Sequence, residues 1–363
     1  MARRYRHFSW VYLLVLALVF SCTAGPSVAQ PTAPAPGQGV GAACDPAQAP
    51  CLSRVTKIVF SSTRDNPTLS PLIAAEIYLM NPDTSDPIRL TTTAGSAGNA
   101  FAAISPDGKR IVFDSNRLRA ADEPINTSDL FVMNTDGTGQ IHVIRGSSAS
   151  WSPDGKRITF HASASGIGMP IRNDPGAATT DSDIFVLNLD DVLQQGAPAT
   201  NLTNSPSFID DDPNWSPDGT RIVFTRHDVS DSPTNSVTAE IWIINPDGSG
   251  EARLTFNMEE ERAPTWSPDG TRILYMCRKG PVFELCVMNA DGSGQTQLTF
   301  TGLHLTPFWS PDGQTIVFHR PVAGGFELFV MNADGTGEMQ LTNTPGLNAF
   351  ASFGDVIVPG REP

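Results

Sequence analysis

Short runs of β-branched and aromatic residues recur along the chain from Val55 onward, and most of them follow a polar turn. The turn Ser-Pro-Asp-Gly occupies 105–108, 152–155, 216–219, 267–270 and 310–313, with start-to-start spacings of 47, 64, 51 and 43 residues. Proline presets φ for such a turn, and glycine supplies the positive φ that leads into the next strand. The runs after the turn, such as Ile111-Val112-Phe113, predict strands, and the spacing indicates an array or a propeller.

A second pattern, an acidic residue followed by four mainly apolar residues and asparagine, defines six repeats. We number them 1 to 6 by its positions, 76–81, 129–134, 183–188, 240–245, 284–289 and 327–332. In each repeat we expect a first strand that ends in a large residue before the Ser-Pro-Asp-Gly turn, a second strand after that turn, a third strand with the acidic pattern, and a fourth. In most copies an Asp-Gly turn follows the third strand. Tight turns join antiparallel strands, so each repeat predicts a four-stranded antiparallel meander.

The two ends of the repeat region complement each other. Repeat 1 begins directly with a second strand at 57–60, and a degenerate first strand occupies 350–355. The third strands are apolar on both faces, which favours sheets stacked around an axis over a sandwich. The sequence therefore predicts an all-β fold, a single six-bladed β-propeller over 54–358 in which the C-terminal strand completes repeat 1, with a tail at 359–363.

The repeat resembles that of the TolB family, whose units are built around Trp-Ser-Pro-Asp-Gly, an acid-Ile-x-Val-Met-Asn strand and an Asp-Gly-[Ser/Thr]-Gly turn. The resemblance covers about 300 residues. It implies a periplasmic propeller that binds a peptidoglycan-associated lipoprotein in the Tol envelope system. TolB carries an α/β domain before its propeller, where this chain has a low-complexity segment. Peptidases of the prolyl-oligopeptidase type have similar repeats, but this sequence has no Gly-x-Ser-x-Gly elbow.

The first residues predict an export signal. Arg3, Arg4 and Arg6 precede an apolar stretch that is too short to span a bilayer. Two cleavage sites remain open: one before Cys22, which would then carry a lipid, and one after Ala29. We expect a signal peptide at 1–21, a Pro/Ala/Gly-rich tether at 22–53, and a periplasmic or cell-surface protein that is possibly membrane-anchored as a lipoprotein.

Charge and cysteine content agree with an exported protein. The formal net charge is −14, and loss of the signal removes three arginines and no acid, which deepens it to −17. This charge argues against nucleic-acid binding. Four cysteines remain, and local pairing predicts disulfides Cys44–Cys51 and Cys277–Cys286, with reduced thiols as the alternative for the second pair. We expect a monomer.

The meander places its loops on two rims. We call the rim with the Ser-Pro-Asp-Gly and Asp-Gly turns the turn rim, and the other the variable rim. Variable-rim loops at 61–75, 114–128, 161–182 and 225–239 are long, and those at 276–283 and 319–326 are short. The candidate binding residues are polar and lie on this rim: His161, Asp210, Asp212, Arg226, His227, Glu259, Glu261, Arg262, Arg278, His304, His319 and Arg320.

Two functions from different classes follow from these residues. The first is a non-enzymatic binding module of the cell envelope that contacts a protein or peptide partner and needs no cofactor. The second is a metal-dependent lyase or hydrolase with one divalent cation at the propeller mouth, because carboxylates suit hard cations and imidazole suits transition metals. A third interpretation is that these residues are solvated loop charges without a specific role.

Overall fold

A computed structural model describes residues 52–65, 74–95, 97–120, 123, 127–163, 182–196, 198–205, 208–228, 239–257 and 259–359. The predicted signal, Cys22, Cys44–Cys51 and most of the long variable-rim loops lie outside the described residues. The described chain is almost entirely β-structure, as the alternation of turns and apolar runs predicts.

The strands of repeats 1 to 3 follow the predicted order. Repeat 1 contains β1 (Leu52–Ser62), β2 (Glu76–Met80), β3 (Ile88–Arg89) and β24 (Gly346–Pro359). Repeat 2 contains β4 (Asn99–Ile104), β5 (Arg110–Ser115), β6 (Asp129–Asn134) and β7 (Ile141–Arg145). Repeat 3 contains β8 (Ser147–Trp151), β9 (Arg157–Ala162), β10 (Asp183–Asn188) and β11 (Thr200–Asn201).

Repeats 4 to 6 have the same four strands in the same order. Repeat 4 contains β12 (Phe208–Trp215), β13 (Ile222–Asp228), β14 (Ala239–Ile244) and β15 (Ala252–Arg253). Repeat 5 contains β16 (Glu261–Trp266), β17 (Arg272–Lys279), β18 (Val282–Asn289) and β19 (Thr296–Gln297). Repeat 6 contains β20 (Leu305–Trp309), β21 (Thr315–Val322), β22 (Gly325–Asn332) and β23 (Met339–Gln340).

Repeats 2 to 5 each form a separate four-stranded antiparallel sheet, and repeats 6 and 1 join into one eight-stranded sheet. The joint is a short parallel pairing of β22 with β24. The strand β24 pairs antiparallel with β1 from Leu52↔Pro359 to Ser62↔Asn348. Pairing thus extends slightly beyond the predicted limits of 54 and 358, because the two strands continue as a ribbon past the rest of their sheet.

One helix, α1 (Leu189–Gln195), replaces the Asp-Gly turn in repeat 3. The Asn188 side chain caps its N-terminus by accepting from the amides of Asp190 and Asp191, and Gly196 ends it in the left-handed conformation. In the described part of the chain no helix has the length and apolar composition that a membrane crossing requires.

Turn glycines bring neighbouring repeats close together. At Gly292, φ is 85° and a Cβ atom would lie 2.5 Å from the backbone oxygen of Leu254 in the preceding repeat. Gly137 and Gly335 make the same approach to Leu90 and Leu298. Glycine at the Asp-Gly turn is therefore required both for its φ and for the space between sheets.

The repeated acidic residue of the third strand forms a buried clasp in five repeats. In repeat 5, the Thr299 hydroxyl accepts from the Leu285 amide at 2.9 Å and donates to Glu284 Oε2 at 2.6 Å. Repeats 1, 3, 4 and 6 have the same arrangement around Thr91, Thr203, Thr255 and Thr342. The repeated acid is thus explained by a hydrogen-bond network that fixes the fourth strand, because a buried carboxylate must find donors.

Candidate functional site

The first strand of every repeat contains one residue in the left-handed conformation, three positions before its last large residue. These residues are Phe101, Ser148, Asp212, Ala263, Thr306 and Phe350, with φ between 42° and 54°. Each lies at a shift in strand register, which identifies a β-bulge. A non-glycine residue at positive φ is uncommon, so its recurrence at one position in all six repeats is a regular structural feature of the fold.

Polar side chains meet around the bulges of repeats 3, 4 and 5. We call Asp114, His161, Asp211, Asp212, His227 and Arg262 the polar cluster. His161 Nδ1 accepts from the Asp212 amide at 3.4 Å, and its Nε2 lies 3.7 Å from Asp211 Oδ1. His227 Nε2 lies 3.8 Å from the other oxygen of Asp211. The second-strand residue of one repeat therefore contacts the bulge of the next.

One histidine of the polar cluster, His227, contributes no positive charge. His227 is buried and its Nε2 accepts from Arg262 Nη1 at 3.1 Å. Burial and the Arg262 guanidinium hold the pKa of His227 well below its usual value, so this ring is neutral. Arg262 is itself paired with Glu260. Asp212 thus lies near a guanidinium that already has a partner.

Two carboxylates of the polar cluster, Asp114 and Asp212, resist ionisation. Burial raises the pKa of Asp114 to about 7, although the side chain accepts from Ser147 and from the Ser148 amide. Burial, and then the neighbouring Asp211, raise the pKa of Asp212. Asp212 nevertheless keeps part of its surface accessible to solvent. A cation brought to these carboxylates would relieve both effects, so the cluster favours a positively charged group.

The other predicted residues lie in separate networks. Arg226 donates from Nε and Nη2 to the fully buried Asp210 at 2.6 and 2.8 Å. Glu261 is buried and accepts from Asn257 at 2.6 Å. Burial raises the pKa of Asp210 to about 6. The Arg226–Asp210 pair is thus satisfied inside repeat 4, whereas Glu261 Oε2 in repeat 5 is buried without a hydrogen-bond partner among the described residues.

Repeat 5 also carries two ion pairs that have a partly exposed partner. Glu259 pairs with Lys279, and Arg278 donates to Glu260 Oε2 at 2.7 Å. Arg278 keeps 44% of its side chain exposed. Of the twelve predicted residues, Arg278 is the most exposed.

Two predicted histidines are fully buried at repeat 6. His304 Nδ1 lies 2.9 Å from Glu284 Oε2, and its Nε2 lies 3.4 Å from Glu338, which also pairs with Arg320. His319 Nδ1 lies 2.8 Å from the Thr306 hydroxyl, and burial lowers the pKa of His319 to about 3.

The structure thus brings together His161, Asp212, His227 and Arg262, and disperses the rest. The interpretation as solvated loop charges is wrong for the seven buried residues, because they lie inside or beside strands: Asp210, Arg226, His227, Glu261, Arg262, His304 and His319. In the described ranges, no three His, Cys, Asp or Glu side chains are grouped to hold a metal ion. Cys277 and Cys286 are joined by a disulfide between β17 and β18.

Sequence reasoning did not select Asp114, Phe101 or Phe350. The signal for Asp114 was available, because it occupies the same place after Ile-Val-Phe as His161 does after Ile-Thr-Phe. The rings of Phe101 and Phe350 lie 4.3 Å apart between centroids. Their proximity depends on contact between the two ends of the repeat region, which no local pattern encodes.

Known proteins that are similar to this chain include the following three. Dipeptidyl-peptidase 5 of Porphyromonas gingivalis is 39% identical over 70 residues, which are 19% of this chain and 10% of that protein. The crystal structure of TolB from Acinetobacter baumannii has a TM-score of 0.64 at 20% identity, covering 82% of this chain and 66% of that one. A putative TolB from Agrobacterium tumefaciens has a TM-score of 0.56 at 18% identity, covering 85% and 100%.

The similarity to the two TolB structures concerns the fold alone. The segment that matches dipeptidyl-peptidase 5 spans a tenth of that protein. A family model, that of the TolB β-propeller domain, matches residues 176–357, half of the chain. This range contains third strands of repeats 3 to 6 with their turns, which are the elements that define the repeat. The chain belongs to the TolB β-propeller domain family.

Proposed function

We propose that this protein is an exported binding module of the cell envelope that acts through contact with another protein. The proposal also holds that the six repeats close as a six-bladed propeller, whose mouth on the variable rim receives the partner. Family membership supports the propeller, and the arrangement of polar and aromatic residues at the bulges supports the mouth.

Contacts between first strands support closure. β4 contacts β8, β8 contacts β12, β12 contacts β16, β16 contacts β20, β20 contacts β24, and β24 contacts β4. This order is cyclic, and β24 pairs with β1 to supply the first strand of repeat 1. Closure predicts that amides of β1 and β24 exchange hydrogen as slowly as those of β17 and β18. Faster exchange confined to β1 and β24 would argue for an open array.

In such a ring the bulge residues surround the axis near the variable rim. Repeat 4 lies opposite repeat 1, so Asp212 faces Phe350 and its neighbour Phe101. One wall is aromatic, where the partly exposed Phe101 ring contacts the buried Phe350 ring, and the other is acidic and polar. The contact between the two aromatic rings and the carboxylates at the bulges of repeats 3 and 4 are the observations that support the proposed function.

A partner segment with a basic side chain next to an apolar one fits this mouth. The basic group would neutralise carboxylates that burial makes costly to ionise, and the apolar group would cover the aromatic wall. His227 stays neutral and Arg262 is paired, so neither opposes a cation strongly.

Site-specific photocrosslinking in cells tests the mouth. Benzoylphenylalanine in place of Phe101 keeps an aromatic ring at this backbone position. The matched control replaces Phe300, which is 72% exposed and belongs to the fourth-strand side of repeat 5. We expect a discrete adduct from position 101 and none of the same size from position 300. An adduct pattern shared by both positions, or no adduct at 101, would contradict a partner-receiving mouth.

Export and anchoring complete the proposal. The predicted signal and Cys22 support a periplasmic or cell-surface location with a lipid anchor. A Cys22→Ala variant should move from the membrane to the soluble envelope fraction, and its continued membrane association would refute anchoring. The metal-dependent lyase or hydrolase stays a prediction, which metal analysis of protein purified without chelator tests directly.

A further inference from the structure

A repeated cation–π contact joins neighbouring repeats at the turn rim. An arginine that opens or directly precedes the second strand stacks on the tryptophan that ends the first strand of the next repeat. The distances from guanidinium carbon to ring centroid are 5.1 Å for Arg110 on Trp151, 4.6 Å for Arg157 on Trp215 and 4.6 Å for Arg272 on Trp309. A cation over an indole face is attracted by the negative centre of the ring.

The junction of repeats 4 and 5 has the same two residues in a different arrangement. Arg221 is exposed, whereas its three counterparts are half-buried. Among the described residues its guanidinium stacks on no ring and makes no hydrogen bond or ion pair, and Trp266 therefore lacks the arginine that covers the other three tryptophans. A cavity of about 510 Å³ lies here, lined by Trp266, Arg221, Pro217 and Pro268.

Two carboxylates also line this cavity. Asp218 and Asp269 belong to the Ser-Pro-Asp-Gly turns of repeats 4 and 5. Donation from Ser216 lowers the pKa of Asp218, and donation from Ser267 lowers the pKa of Asp269 to about 2. Both side chains are therefore negative at neutral pH, beside an aromatic wall.

We propose that this cavity is a binding site for a guanidinium group from outside the fold, which stacks on Trp266 as the internal arginines stack on the other tryptophans. In three other junctions an arginine of the chain already stacks on the equivalent tryptophan. A planar guanidinium can stack on the indole and donate sideways to carboxylates, which an ammonium does less well. The site lies on the turn rim, opposite the mouth, and does not depend on the proposed function.

Indole N–H signals in ¹⁵N-labelled protein report on each tryptophan separately. Titration with argininamide should shift the Trp266 signal saturably and leave those of Trp215 and Trp309 in place. Lysinamide should bind several-fold more weakly. No saturable shift at Trp266, equal shifts at all three tryptophans, or equal binding of lysinamide would each overturn the proposal.

Variants test whether the indole face itself binds the guanidinium group, apart from any effect on folding. Trp266→Leu removes the reporting indole, so argininamide binding to this variant is measured by calorimetry; it should weaken about 2- to 30-fold, the range of a cation–π contact. Because this change could also unfold the protein, Arg157→Ala provides a second test. It uncovers Trp215, whose signal should then respond to argininamide. A Trp215 signal that stays unresponsive in the folded Arg157→Ala variant would contradict the role assigned to the indole face.

The guanidinium could come from a protein partner or from a small metabolite, and two probes distinguish these sources. A Gly-Arg-Gly peptide that binds more tightly than argininamide supports an arginine side chain of a partner. Equal binding of argininamide and of methylguanidine supports a small guanidinium compound. Failure of all three probes to shift Trp266 would refute the site.

Discussion

The acid–threonine clasp predicts a large and specific loss of stability when one hydroxyl is removed. In a Thr299→Val variant the side chain keeps its shape, but the buried Leu285 amide loses its acceptor at 2.9 Å and Glu284 loses a donor at 2.6 Å. An unpaired buried backbone group costs about 1–3 kcal/mol, and a hydrogen bond to a charged group contributes about 1.5–3 kcal/mol. Partial compensation by Gly302 and His304, which also contact Glu284, limits the expected total to about 2–4 kcal/mol.

Urea and thermal unfolding measure this loss, and the melting temperature should fall by about 4–8 °C. Thr296→Val is the matched control, because Thr296 lies exposed in β19 and should change the free energy of unfolding by less than about 0.5 kcal/mol. Thr299→Ser restores the hydroxyl and should recover most of the loss. A Thr299→Val variant as stable as the Thr296→Val control would refute the reasoning that the clasp stabilises the sheet.

Three further predictions concern pH, the disulfide and a turn. The pKa of Asp114 is about 7 in the folded protein, above its unfolded value, so the free energy of unfolding should rise as pH falls from 8 towards 5. Asp114→Asn should reduce the dependence of this free energy on pH by about 1 kcal/mol per pH unit, as measured in urea titrations. Replacing Cys277 and Cys286 by serine should cost about 2–3 kcal/mol, and an unchanged urea midpoint would exclude a stabilising role. Gly292→Ala should lower the melting temperature sharply, because its Cβ would meet the Leu254 oxygen, whereas an exposed Gly280→Ala change should cost less.

The repeated strands were predictable because their signals are local. Turn residues, apolar runs and the terminal large residue each occur within one repeat, and the structure places β5, β9, β13, β17 and β21 after the expected turns. The helix α1 is also encoded locally, by Asn188 and Gly196 at its two ends, but the repeat pattern obscured it.

The candidate site was predictable only in part because it depends on contacts between repeats. His161 and Asp212 belong to different sheets, and their meeting depends on the bulge that places Asp212 at φ 53°. A bulge has no sequence signature apart from the proline that follows it in three repeats. Burial was missed for the same reason: His304 and His319 look like loop residues in the sequence, but neighbouring sheets cover them.

The most direct test of the central claim combines the crosslinker at position 101 with Asp212→Asn. Asparagine tolerates the left-handed conformation, so this variant removes the charge while keeping the bulge. A mouth that receives a basic partner segment predicts that the adduct from position 101 falls several-fold in the variant, with no change in melting temperature beyond about 2 °C. An adduct of undiminished yield would contradict the proposal that the acidic wall recognises the partner.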